Sequence, residues 1–87
     1  MNYIVIDLEW NQSYAGHGYE NPRMPFEIIE IGATKLDSKF NIIDEYGSII
    51  KPRLYKKLHS KIKEILNYDE NFLKTGRPFD IVYRMVW

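Results

Sequence analysis

The run Tyr3-Ile4-Val5-Ile6-Asp7-Leu8 constrains this chain most. It is β-branched and aromatic, and four of its residues are apolar in succession. That is the pattern of a strand covered on both faces, not of one that alternates between core and water. Only 87 residues are available to supply that cover. A domain of this size buries roughly 60–65% of the surface its unfolded chain exposes, so the core is expected to be thin.

The remaining elements follow in order. Asn11 to Pro25 collects Gly, Asn, Ser and Pro, and as a connection between strands it is long enough to be suspected of function. Phe26 to Asp37 alternates as a second strand, Ser38 to Asn41 is a turn, and Ile42 to Lys51 is a third strand that returns in a hairpin and ends at Pro52. From Lys56 the period changes. Leu58, Ile62, Ile65 and Leu66 fall at helical spacing, and Phe79, Val82 and Val86 do so again after Pro78, which suits a first helical turn. Ile62, Ile65, Leu66, Phe79, Val82 and Val86 are the expected helical core. Helical cover comes only from the C-terminal part, and the apolar stripe of the last helix reaches Trp87 with no capping signal after it. No repeat, low-complexity segment or domain boundary is visible, so residues 1–87 are read as one unit.

Charge and composition exclude several classes. With 45% hydrophobic and 28% charged residues the chain has the composition of a folded protein. The absence of cysteine removes disulfides, a thiol nucleophile and Cys-ligated zinc. The N-terminus has no basic region and its apolar run is too short for a signal peptide or a membrane span, so the chain is read as cytoplasmic. Net charge is zero, but residues 1–50 hold three Lys and Arg against eight Asp and Glu, and residues 51–87 hold nine against four. The basic cluster Lys51, Arg53, Lys56, Lys57, Lys61 and Lys63 suits either a phosphate backbone or a solvated helix face.

Asp7 and Glu9 stand at the end of the first strand, two residues apart and therefore on one face, with Cβ atoms ~7 Å apart. Such a pair can chelate a hard divalent ion, and two ions held ~3.5–4 Å apart clamp the attacking and leaving oxygens of a phosphoryl displacement. Two carboxylates are too few to hold both ions. The alternative is a water-exposed pair at a strand end, idle or bridged to Arg23 or a lysine. Glu30 reads as part of the strand pattern and a candidate salt-bridge partner.

The segments "IVIDLEW", "FEIIEIGATKLD", "YGSIIKP" and "LHSKIKEILNYDENFLKTGRPFDIVYRMVW" together resemble the N-terminal portion of the DEDD (DnaQ-like) 3′-to-5′ exonuclease superfamily. The loop with Pro22 and Pro25 is more similar to the KapD-type and RNA-directed members than to the proofreading ones. The resemblance implies an α/β, ribonuclease H-like fold, here its N-terminal part: a three-stranded, largely antiparallel sheet followed by helices, an incomplete mixed sheet between helical layers. It implies that Asp7 and Glu9 are metal-ligating, catalytic carboxylates for Mg²⁺ or Mn²⁺. It also implies that Trp10 and Asn11 lie where the family cradles the terminal nucleotide; packing against helices is the alternative for Trp10. The implied partner is single-stranded nucleic acid, RNA favoured, with no membrane. The family's two later aspartates and its general base have no counterpart here, since Asp69, Asp80, His17 and His59 do not match those motifs. The chain alone is therefore expected to be inactive, an N-terminal fragment of the enzyme. The alternatives are a non-catalytic nucleic-acid or protein binding module, and self-association through exposed edges.

Overall fold

The computed structural model describes residues 1–15 and 21–85. His17, Val86, assigned above to the core, and Trp87 lie outside the described residues. The elements run β1 (Tyr3–Asn11), β2 (Glu27–Leu36), β3 (Ile42–Ile49), α1 (Ser60–Leu66), α2 (Glu70–Leu73) and α3 (Phe79–Met85). The three strands form an antiparallel sheet in the order β1-β2-β3, so β1 is an edge strand. This is the expected three-stranded antiparallel sheet followed by helices. Among the described residues no helix is long and apolar enough to cross a membrane.

One irregularity distributes the core. Glu9 lies opposite Glu30 and Trp10 opposite Ile28, which leaves Ile29 as an extra residue on β2. This bulge breaks the alternation. Ile29 packs with Leu58 and Leu73, joined by Ile49, Ile62, Leu66 and Tyr68, on the face covered by α1 and α2. Ile31, two residues on, packs with Ile50 and Val82 on the opposite face, under α3, joined by Leu8, Ile28 and Tyr46. Without the bulge the two isoleucines would share a face and one layer would lose its central contact.

The segment between β3 and α1 is not helical, although helical spacing was read from Lys56. Its backbone is held by side chains from the other end of the sheet. Glu27 accepts from the N–H groups of Arg53 (2.8 Å), Leu54 (3.0 Å) and Tyr55 (2.9 Å). His59 is the cap of α1, its Nδ1 accepting from the Lys61 N–H at 3.2 Å. The helix therefore starts at Ser60, and Ile62 and Leu66, one turn apart, form its inner stripe. Ile65 lies about 100° round the helix from Leu66 and is 73% exposed, so it is not a core residue. Phe79, also expected inside, is exposed beside Tyr83, at 6.0 Å between ring centroids.

The expectation that Tyr3–Leu8 is covered on both faces does not hold over most of the strand. Tyr3, Ile4, Val5 and Ile6 are 40–55% exposed. Helices cover the β2–β3 side and the end of β1 near Leu8, and leave the start of β1 open. The radius of gyration is 14.7 Å against the ~12 Å expected of a compact chain this long. The sheet extends beyond its cover.

Candidate functional site

Asp7 and Glu9 project from one face of β1 as the strand period requires. Asp7 is exposed and Glu9 half-buried. Beside Asp7 the sheet carries a row of two glycines, since Asp7 pairs with Gly32 and Gly32 with Gly47. With no side chains in that row, Asp7 borders a shallow depression flanked by Val5, Thr34 and Glu45. A methyl at Gly32 would come no closer than 3.9 Å to the Asp7 carbonyl, so the depression has room to spare.

Glu9 faces Glu30 directly across the β1–β2 pair. Like charges at such a position repel. Among the described residues Glu30 is partnered not by a cation but by the Tyr68 hydroxyl, which donates to its Oε1 at 3.4 Å. Burial is the largest influence on the Tyr68 phenol, and the negative charge of Glu30, that hydrogen bond and the charge of Glu9 add to it; all push its pKa well above the ordinary 10.0. A raised folded-state pKa means stability that is complete below the unfolded value and lost as pH rises from there through the folded value. Wild type is therefore expected to lose stability more steeply than Tyr68→Phe above about pH 10 in urea melts, and identical slopes would show that Tyr68 is not so held. Tyr68 carries no motif signal in the sequence; only the fold brings it to Glu30.

The donor set is of the right kind for a hard divalent ion, carboxylate oxygens on one face. It is short in number. Among the described residues no three Asp, Glu or His side chains come together closely enough to hold a metal ion.

Trp10 points to the face opposite the carboxylates, is 49% exposed, and lies beside Phe26 at 6.1 Å between ring centroids. Asn11 is fully buried. Its Nδ2 donates to the carbonyls of Tyr55 and Lys57, both at 3.0 Å, and its Oδ1 accepts from the His59 N–H at 2.9 Å. The Asn11 side chain thus ties the end of β1 to the segment after β3. Tyr55 extends the tie: its hydroxyl donates to the Met24 carbonyl and accepts from the Asn21 N–H. Nothing in the sequence spacing marks Glu27, Asn11 and Tyr55 as partners.

The basic cluster divides. Lys63 pairs with Glu70 at 3.0 Å on the helical surface, which holds the Glu70 carboxyl below its usual range, and Lys57 lies 3.8 Å above the Tyr14 ring. Lys51 and Arg53 instead face a groove shared with the loop before β2. Asp69 caps α2 by accepting from the Phe72 N–H at 3.0 Å.

No protein-family model and no curated protein sequence matches the chain. Solved structures do. The fold superposes on the nuclease domain of 3′hExo, a DEDDh family member bound to rAMP, with a TM-score of 0.75 and 19% identity, covering 95% of this chain and 40% of that one. A 3′-exonuclease in a structure of 3′-end-specific recognition of the histone mRNA stem-loop gives a TM-score of 0.76 and 19% identity, covering 95% and 36%. Cell-death related nuclease 4 (CRN-4) gives 0.73 and 21%, covering 95% and 27%. The chain spans about a quarter to two-fifths of these neighbours. Its fold is that of a portion of the 3′-exonuclease nuclease domain, as the resemblance implied.

Proposed function

We propose that this chain is the N-terminal portion of a metal-dependent 3′-to-5′ exonuclease domain that hydrolyses phosphodiesters in nucleic acid, RNA favoured, and that alone it has little or no activity. The observation that carries this reading is the placement of Asp7 and Glu9 on one face of β1, beside an open glycine row, in a fold shared with 3′-exonucleases. Two neighbours are described with RNA or a ribonucleotide, which favours RNA here.

Asp7 and Glu9 would hold Mg²⁺ or Mn²⁺, which when bound supplies charge neutralisation and a more acidic water for attack at phosphorus. The chain's own part is to fix those two carboxylates. The β1–β2 ladder sets their backbone, the bulge at Ile29 turns the strand just beyond them, and Tyr68 satisfies Glu30 so that Glu9 remains available. Two carboxylates cannot fix two ions and a base together, hence the low activity.

Calorimetric titration with Mn²⁺ tests this, with light scattering on the same sample. Wild type is expected to bind weakly and the Asp7→Ala/Glu9→Ala variant not at all. A folded wild-type chain that binds no Mn²⁺ would remove the metal site, and Asp7-dependent hydrolysis of RNA by the chain alone would remove the claim of inactivity. The second reading, a non-catalytic binding module, is favoured by the shortage of ligands among the described residues, and predicts RNA affinity without metal.

A further inference from the structure

Away from the carboxylates, a groove opens between the loop before β2 and the segment after β3. Arg23, Lys51 and Arg53 line it together with Phe26, Leu54 and Phe79. All six are exposed, and Phe26 continues outward into the Trp10 ring. An exposed apolar surface of this kind calls for an occupant. Charge narrows the choice. The lining carboxylate among the described residues is Glu27, and both its oxygens are engaged by the backbone N–H groups of Arg53, Leu54 and Tyr55. Among the described residues, the groove lining therefore presents three cations and no free anion.

We propose that this groove binds single-stranded nucleic acid, with phosphates on Arg23, Lys51 and Arg53 and bases stacked on Phe26 and Trp10. The inference rests on the nucleic-acid reading above, but it uses a different surface and needs no metal. Cations beside exposed aromatic faces are the recurring means of holding single strands without sequence preference. The groove walls are fixed in advance: Glu27 locks the 53–55 backbone, and Tyr55 binds the 21–24 loop through its hydroxyl. Little order need be created on binding.

The test is fluorescence anisotropy of a labelled oligouridylate with the full chain in EDTA, across a salt series, with circular dichroism and light scattering on each variant. Three phosphate contacts on a single strand predict a slope of log affinity against log salt of about −2. The Arg23→Glu/Lys51→Glu variant is expected to abolish binding. Should it not fold, Arg23→Gln/Lys51→Gln is expected to bring the slope to about −1. Phe26→Ala is expected to weaken binding roughly 5- to 150-fold, with Phe26→Tyr restoring it. Binding in EDTA separates this proposal from the metal site, and the exposed Asn71→Ala on α2 should bind like wild type. Affinity absent in folded wild type, or unchanged by the groove variants, would overturn it. So would a groove variant that alters only the oligomeric state, since the surface would then serve contact between copies of the chain.

Discussion

Asn11→Ala is expected to remove about 2–4 kcal/mol of stability, read as a large fall in the urea midpoint. The side chain is fully buried and makes three hydrogen bonds to the 55–59 backbone. Alanine would leave two carbonyls and one N–H without partners where water enters poorly, and each orphan costs ~1–3 kcal/mol, partly relieved by relaxation. A small domain with a thin core has ~5 kcal/mol in all, so much of it would go. Asn11→Asp should be no better. It keeps an acceptor for the His59 N–H but turns a carboxylate oxygen toward the Tyr55 and Lys57 carbonyls. The exposed Asn71→Ala is the reference, and an equal midpoint in both variants would show that Asn11 does not hold the segment.

Gly76→Ala should cost about 3 kcal/mol, for a steric reason. A Cβ there would meet the Ile49 carbonyl oxygen at 2.7 Å, the Lys51 nitrogen at 2.8 Å and the Ile49 carbonyl carbon at 2.9 Å. All three are backbone atoms, which cannot turn aside as a side chain does. Next to Gly76, Arg77 accepts from the Lys51 N–H at 2.9 Å and donates to the Ile49 carbonyl at 3.3 Å, a short parallel bridge that seats α3 over Ile31 and Ile50. The methyl would part this bridge and loosen Val82. Gly32→Ala, whose Cβ meets nothing nearer than 3.9 Å, should be neutral or stabilising by up to ~1 kcal/mol. Thermal melts of the two variants compare them directly. Equal melting temperatures would mean the chain near Gly76 shifts at no cost.

The strands, the 38–41 turn and the hairpin were legible because β-branched runs and turn residues act locally. The resemblance to the exonucleases was carried by short strand segments, and the fold bears it out at 18–21% identity, where no family model finds it. The helix start was misplaced at Lys56, because spacing does not reveal that Glu27 and Asn11 claim the intervening backbone. Ile65 was misassigned because four apolar residues near a helix do not share one stripe when the first precedes the helix. Trp10 and Asn11 are neighbours in sequence, yet the fold sends the first side chain to the face opposite the carboxylates and the second inward.

The sequence by itself determined that Asp7 and Glu9 share a face and that strands precede helices, since side-chain alternation and helical period are properties of consecutive residues. Only the tertiary structure decided which surfaces are covered. Burial of Ile29 against Leu58, the Tyr68–Glu30 contact and the basic aromatic groove all join residues distant in the chain, and among the described residues no helix covers Tyr3 to Ile6, which leaves them exposed. Which of these meet depends on a single bulge and on three side chains that tie down loops, and no local pattern encodes those.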